Sequence, residues 1–194
     1  MIGLVAIIAF PGGAKNLNLS AKLSEIAGIV EVRNSVQENY NLVNDGYTLN
    51  MVQQLQTQQQ SKVRLDLSTG SIVRLGQSTI FSLAQTQDAS SSGLSLLTMQ
   101  LGKMWIVLKG GSIDVNTPGG LASVRGSYIS VWVDPDTNFI TVMCLEGHCN
   151  FTNNAGTVEL TSAQKVISID PNILPVVQPM DMSDIQSWLD NCPE

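Results

Sequence analysis

The residues that could carry out chemistry are few in this chain of 194 residues. It has a single histidine, His148, which directly precedes Cys149 and lies four residues after Cys144. A structural zinc ion needs four ligands with suitable spacing, and this short segment supplies three. A nucleophilic mechanism would need the lone histidine as its base and an acid to orient it, and no Gly-x-Ser-x-Gly elbow is present. We therefore expect neither a catalytic centre nor a metal or cofactor site.

Two further patterns favour turns over chemistry. Asp134 and Asp136 flank Pro135, but no spaced series of acidic residues follows them as in a calcium loop. The segment 118–120 is rich in glycine, yet no helix with a lysine follows it, so it does not match a phosphate-binding loop. These residues are typical of tight connections between strands.

The cysteines give a firmer prediction. Glu146 and Gly147 fit a two-residue hairpin turn, because glycine accepts positive φ. Cys144 and Cys149 would then face each other at a closely spaced, non-hydrogen-bonded pair, within reach of a disulfide. Such a bond indicates an oxidising compartment, and the alternative is two reduced cysteines on one strand face. Cys192 is left over, which predicts a free thiol or a link between two chains.

The charge balance excludes one class of partner. The chain has 10 basic and 16 acidic residues, a net charge of −6, and no cluster of lysine or arginine. Proteins that bind nucleic acid need a basic surface to neutralise phosphates, so a nucleic-acid partner is not expected. An anionic membrane surface is disfavoured for the same reason.

The pattern along the chain predicts an all-β fold. Alternating apolar and polar runs, such as 63–67 and 79–83, are separated by turn residues about every 8 to 15 positions. This spacing favours an antiparallel sandwich or roll, or a solenoid-like β-domain. Trp105 and Trp132 lie in such runs, where packing is expected, although an exposed ring would offer a platform for a sugar.

The chain divides into three parts: an apolar segment and polar linker (1–24), the β-domain (25–170), and a proline-containing linker with a short amphipathic helix (171–194). The first ten residues are too short to span a bilayer, which takes about 20 apolar residues. They match a signal peptide or a β-strand inserted into a partner. The candidate assembly residues are Ile2, Leu4, Val5, Ile7, Ile8 and Phe10.

The C-terminal helix has a predicted cap and a predicted face. Ser183 is in capping-box register with Gln186. Ile185, Trp188 and Leu189 follow at i, i+3 and i+4, so they would share one apolar face. We expect this face to dock on the β-domain or on a neighbouring protein.

Several segments resemble the FecR-domain family. The run 115–131 is similar to its signature of a strand, a Thr-Pro-Gly turn and an apolar-x-Gly-Thr-aromatic strand, with Ser127 where threonine is usual. The run 67–75 resembles the family's hairpin with the pattern Asp-Gly-Ser-x-Val-x-Leu. The run 142–147 resembles a strand that ends in Glu-Gly, and the run 161–166 resembles the segment that closes the domain. The matching positions of the central motif are Thr117, Pro118, Gly119, Gly126 and Ser127.

The resemblance implies a β-rich bacterial domain outside the cytoplasm, at the cell surface, in the periplasm or secreted. The family's founding role is to pass a receptor's signal to a sigma factor, which needs a membrane span that these residues do not provide. We therefore expect a stand-alone module that binds a protein, a glycan or a small ligand. The alternative is a structural subunit that joins copies of itself into a filament or surface assembly through its N-terminal strand.

Overall fold

The structure of the protein is a computed structural model that describes residues 19–84 and 94–192. Within these residues the chain forms fifteen β-strands and one α-helix. The expected all-β class with a short C-terminal helix is therefore confirmed. The candidate assembly segment, from Ile2 to Phe10, lies outside the described residues.

The strands are β1 (Ser20–Ala27), β2 (Val30–Arg33), β3 (Asn41–Leu42), β4 (Thr48–Asn50), β5 (Gln54–Thr57), β6 (Lys62–Leu67), β7 (Ile72–Leu75), β8 (Ile80–Ala84), β9 (Leu94–Val107), β10 (Ser112–Thr117), β11 (Gly120–Val133), β12 (Ile140–Asn153), β13 (Gly156–Leu160), β14 (Gln164–Ser168) and β15 (Gln178–Pro179). The helix is α1 (Met182–Asn191). Because β1 begins at Ser20, the prediction of a polar linker up to residue 24 was wrong at its end. Alternate residues of this strand, Ala21 and Leu23, are buried in the core.

The strand pairings divide into two half-sheets. Half-sheet 1 has the order β3-β2-β5-β8-β9-β10-β11-β12-β13, and half-sheet 2 has the order β4-β1-β6-β7-β9-β11-β12-β14-β15. The strands β9, β11 and β12, of 14 residues each, contribute one half of their length to each half-sheet. Buried residues of both half-sheets form a single hydrophobic cluster, so the two pack face to face as a sandwich.

One pair of strands is parallel, which the antiparallel prediction did not include. Leu94 pairs with Ser112 and Thr98 with Asn116, so the chain advances 18 residues and returns beside itself in the same direction. The cause is the bend of β9 at Gly102, which sends its second half back along half-sheet 2. A short connection then carries the chain to β10. This single turn of the chain, from the start of β9 to β10, is the solenoid-like element of the fold.

The predicted hairpin at Glu146 and Gly147 was wrong. The segment is part of the continuous strand β12, and β11 pairs with it on both sides of a shared bend. Gly126 and Gly147 allow the bend, because a Cβ at Gly126 would lie 2.9 Å from the Cα of Gly147. Pairing with β11 therefore replaces the local turn that the sequence suggested.

The strands cross between the half-sheets at two opposite ends of the sandwich. At one end, which we call the disulfide end, Val107 pairs with Tyr128; at the other, which we call the groove end, Gly102 pairs with Val133. Five residues of strand separate these two pairs, a distance of about 17 Å. At the groove end Gly102 has φ +97°, and a Cβ there would overlap the backbone of Thr79.

Candidate functional site

Helix α1 begins at a capping box that lies two residues before the position predicted from the sequence. Asp181 is the N-cap, and its carboxylate accepts hydrogen bonds from the backbone N–H groups of Ser183 and Asp184. The Asp184 carboxylate accepts in return from the backbone N–H of Asp181, at 2.9 Å. The prediction of Ser183 as the cap was therefore wrong, because aspartate at position 181 satisfies the same free N–H groups one half-turn earlier.

The helix lies across the outer face of half-sheet 2. Lys165 of β14 donates to the carboxylates of Asp184, at 2.6 Å, and Asp181, at 3.0 Å. The hydrogen bond to Asp184 raises the pKa of Lys165. The pKa of Asp181 lies well below its usual range, first because of the Ser183 hydroxyl, then the backbone of Asp184 and then Lys165. These ion pairs hold the first turn of the helix against the sheet.

The three residues of the predicted docking face differ in their burial. Trp188 is buried, and its ring meets that of Tyr128 edge to face at 5.6 Å between centroids. Ile185 is half-buried, whereas Leu189 is 62% exposed, so its assignment to the docked face was wrong. Ser187 also contacts the sheet, because its Oγ accepts a hydrogen bond from Nζ of Lys103.

The interface beneath α1 contains buried polar atoms that lack a hydrogen-bond partner among the described residues. Three buried side-chain atoms have no hydrogen-bond partner among the described residues, namely Nε1 of Trp105, Oγ of Ser130 and Nε1 of Trp188. Trp105 and Ser130 are direct cross-strand partners on the outer face of half-sheet 2. A buried polar group without a partner costs about 1–3 kcal/mol.

A groove of about 560 Å³ separates α1 from the groove end of the sandwich. Its walls are the strand bends, two indole rings and the helix edge. We call it the α1 groove, and it is lined by Ala27, Gln60, Ser61, Lys62, Gly76, Gln77, Ser78, Gly102, Lys103, Trp105, Trp132, Pro135, Ser187 and Asn191. Among the described residues the lining contains two lysines and no carboxylate.

Lys103 is the central charged group of the α1 groove. Its Nζ lies 5.2 Å from the ring centroid of Trp105 and 5.7 Å from that of Trp132, and it donates to Oγ of Ser187 at 2.9 Å. Burial lowers the pKa of Lys103, and the field of Asp184 partly opposes this. Lys103 makes no salt bridge within the described residues. Its ammonium is thus held by aromatic faces and one hydroxyl.

The floor of the groove is fixed by two buried hydroxyl groups. The Thr57 hydroxyl donates to the carbonyl of Gly76 at 2.6 Å and accepts from the backbone N–H of Thr79. The Thr79 hydroxyl donates to the same carbonyl and accepts from the backbone N–H of Lys103 at 3.1 Å. These bonds join three strand bends, so the backbone that carries Lys103 is rigidly placed.

The central motif serves the fold and lies outside the groove. The Thr117 hydroxyl donates to the Gly120 carbonyl at 2.6 Å and closes the turn that contains Pro118 and Gly119. A Cβ at Gly119 would lie 2.7 Å from Cδ1 of Ile140, so a larger residue there would require the end of that side chain to move.

The other two motif residues, Gly126 and Ser127, lie in β11 at the disulfide end. Thr117, Pro118, Gly119 and Gly126 do not line the α1 groove.

The disulfide between Cys144 and Cys149 is present, with both cysteines buried and their Cα atoms 5.9 Å apart. It bridges the bend of β12 and does not join the two arms of a hairpin. His148 is exposed beside it. Cys192 is free and half-buried, and burial raises its pKa to about 11. Its thiol therefore stays protonated at neutral pH, which makes it a poor nucleophile.

Within residues 19–84 and 94–192, no group of three or more histidine, cysteine, aspartate or glutamate side chains is arranged to hold a metal ion. Over the same residues the structure has no helix of the length and apolarity that a membrane crossing requires.

Sequence reasoning missed most of the groove. Lys103 and Trp105 were recognisable as neighbours on one face of a strand, because they are two residues apart. Trp132 joins them only through the register of β9 with β11, and Ser187 only through the docking of α1. No local pattern carries these long-range contacts.

Comparisons with known proteins support the same family as the motif. The family model described as FecR protein matches residues 53–150. No curated protein matches the chain. Two crystal structures of a candidate anti-sigma factor from Parabacteroides distasonis ATCC 8503 are similar in fold at 16% sequence identity, with TM-scores of 0.58 and 0.57.

Each alignment covers 70% of this chain and 63% or 64% of the other, so the chain spans less than two thirds of the length of these neighbours. At this identity the likeness establishes the fold alone. The family match, which includes half of the chain and the central motif, goes further: this chain belongs to the FecR family.

Proposed function

We propose that this chain is a non-enzymatic recognition domain that works outside the cytoplasm and holds an anionic group of its ligand in the α1 groove. The observation that carries the proposal is the position of Lys103. Its ammonium lies near two indole rings in a groove whose lining, as far as the structure describes the chain, has no carboxylate. A partly desolvated cation without a counter-ion attracts an anion more strongly than a solvated one does.

The charge distribution supports this proposal. The chain has a net charge of −6, yet in the described part of the groove lining Lys62 and Lys103 are the only charged residues. The Asp184 carboxylate, whose field acts on Lys103, already accepts hydrogen bonds from Lys165 and from the backbone of Asp181. An anion in the groove would therefore meet positive charge on an otherwise acidic surface.

The disulfide supports a location outside the cytoplasm. Disulfides persist in oxidising compartments and are rare in the cytosol. If the protein from its native source is denatured and alkylated before reduction, we expect Cys192 to react while Cys144 and Cys149 stay protected. Alkylation of all three cysteines would contradict this location.

Family membership supports a binding role over catalysis. FecR proteins are regulatory, and the structural neighbours are described as candidate anti-sigma factors. A regulatory domain needs a site that distinguishes ligands, and the rigid floor of the α1 groove meets that need.

Titration of the intrinsic tryptophan fluorescence tests the proposal. Polygalacturonate and polyglutamate serve as anionic probes, and dextran as a neutral one. We expect saturable binding of at least one anionic polymer, weakened at least tenfold by Lys103→Met and unchanged by Lys22→Met, an exposed lysine outside the groove. The polymer should be recovered with unchanged length. No saturable binding, or equal binding by Lys103→Met, would contradict the proposal.

A structural subunit remains the second candidate, favoured by exposed apolar side chains. Ile167 on β14, and Ile169 and Val176 after it, are 37%, 60% and 74% exposed. Exposed apolar side chains of this kind are suited to contact with another copy of the chain. Light scattering of the full chain and of a chain lacking residues 1–14 tests this candidate. Assemblies that disappear on truncation would support it, and monomers in both samples would exclude it.

A further inference from the structure

We infer that the ligand of the α1 groove is an acidic saccharide, a chain of sugar rings that carry carboxylates. This inference rests on the proposed function and narrows it to one ligand class. Three features lead to it: a partly exposed indole ring, side-chain amides around the groove, and the absence of a free strand edge on the strands that carry the charge and the indole rings.

The indole rings provide the first argument. Trp132 is 37% exposed at the rim of the groove, whereas Trp105 is 5% exposed. The two therefore differ in role. Trp105 is a buried ring beside the Lys103 ammonium, whereas Trp132 is partly open to solvent. A flat aromatic face is suited to the C–H face of a pyranose ring, which is apolar. The neighbouring ammonium would then meet a carboxylate on the same sugar.

The polar lining provides the second argument. Gln60, Gln77 and Asn191 place primary amides around the groove. Each amide carries both a donor and an acceptor, which matches the dual character of a sugar hydroxyl. Two of these side chains are already oriented, since Oε1 of Gln77 accepts from the backbone of Gln60 and Nδ2 of Asn191 donates to the carbonyl of Ser187.

The strand pairings disfavour an acidic peptide as the ligand. Extended peptides gain affinity by adding a strand to a free sheet edge. The groove strand β9 is paired with β7 and β11 on either side of Lys103, and β11 is paired with β9 and β12 on either side of Trp132. The backbone of these two strands therefore offers a peptide no free edge, and a ligand here is held by side chains.

Two carboxylates beside the lining residue Pro135 lie outside the groove lining, so they do not repel an acidic ligand from within the groove. Asp134 and Asp136 flank the lining residue Pro135 but are not part of the lining. The Asp134 carboxylate accepts from the backbone N–H groups of Asp136 and Thr137, both at 2.9 Å, which holds it within its own turn.

Calorimetry with three matched probes tests the inference. The probes are a galacturonate tetramer, its fully methyl-esterified form and a tetraglutamate peptide. We expect the acidic tetramer to bind at least tenfold more tightly than the ester, which keeps the rings and loses the charge, and than the peptide, which keeps the charge and loses the rings. Trp132→Ala should weaken the tetramer at least tenfold, and Trp132→Phe by less. Thermal unfolding of each variant checks that it is folded.

The outcomes separate this inference from the proposed function. Peptide binding that is as tight as tetramer binding, sensitive to Lys103→Met and insensitive to Trp132→Ala, would overturn the saccharide and leave an anion-binding groove. Equal binding of the acidic tetramer and its ester would overturn the acidic class. Failure of all three probes in calorimetry and of the anionic polymers in fluorescence would overturn both proposals.

Discussion

The two ends of the sandwich solve the same problem by different means. At each end, long strands must turn from one half-sheet to the other. At the disulfide end, β11 and β12 bend together at Gly126 and Gly147, and a covalent bond between buried cysteines closes the bend. At the groove end, β9 bends at Gly102 and is held by hydroxyl hydrogen bonds of Thr57 and Thr79.

The difference extends to what covers each end. The disulfide end carries the motif residues Gly126 and Ser127, and Gly126 does not contribute to the lining described for the α1 groove. The groove end opens to solvent and carries a cation that has no carboxylate partner among the described residues. It lies under a helix whose interface leaves polar atoms without a hydrogen-bond partner among those residues. We infer that the disulfide end maintains the fold and the groove end binds the ligand.

The largest expected effect comes from Gly102→Ala. The new Cβ would overlap the backbone of Thr79, and the residue would keep a positive φ that suits glycine. We expect the free energy of unfolding to fall by about 3 kcal/mol. Urea unfolding measures this change. Gly70→Ala is the matched control, because Gly70 also has positive φ but a Cβ there meets no atom within 4 Å. Equal losses in the two variants would show that the close approach to Thr79 carries no cost.

Removal of the disulfide should have the next largest effect. The bond closes a short loop, with a sequence separation of 5. The double variant Cys144→Ala with Cys149→Ala should lose about 2 kcal/mol of unfolding free energy on chain-entropy grounds. Binding in the groove, about 17 Å away, should be unchanged. A loss of binding without a loss of folding would contradict the division of roles between the two ends.

A smaller effect is expected from Trp188→Ala, because it releases the helix and leaves the sandwich core intact. Amide hydrogen exchange in α1 should become faster by about tenfold or more, while β9 and β11 keep their protection. The exposed Leu189→Ala is the control and should leave exchange in α1 close to that of the unaltered chain. Loss of protection across β9 would show instead that the helix is part of the cooperative core.

The smallest effect concerns the charged N-cap of α1. Asp181 has a lowered pKa, so it contributes stability that is present above the usual aspartate pKa and is lost as pH falls toward the folded value. We expect the protection of α1 amides, measured relative to the intrinsic exchange rate at each pH, to fall below about pH 4. Asp181→Asn keeps a capping side chain but loses the charge, so this loss of protection should be weaker in that variant. An identical acid response in both proteins would contradict the role of this carboxylate.

The sequence predicted the parts of this structure that local rules govern. Alternating apolar residues indicated the strands, and the spacing of Cys144 and Cys149 indicated their disulfide. The local rule failed at Glu146 and Gly147, where pairing with β11 continues through the segment that resembled a turn. It failed again at α1, where Asp181 competes with Ser183 as the N-cap.

The α1 groove was beyond sequence reasoning for a physical reason. Lys103 meets Trp132 through strand register and Ser187 through helix docking, across 29 and 84 positions of chain. Neither contact leaves a periodic signal, because each depends on how distant elements pack. The identity of the residues was visible, but their convergence was not.

The central claim is that recognition takes place at the groove end, and an NMR titration tests it most directly. The chain has three tryptophans, so its spectrum has three indole N–H signals. On addition of the galacturonate tetramer, we expect the signals of Trp132 and Trp105 to shift, together with the amide of Lys103. The amides of Gly126, Gly147 and His148 should stay in place. Shifts confined to the disulfide end would contradict the account and assign binding to the opposite end of the molecule.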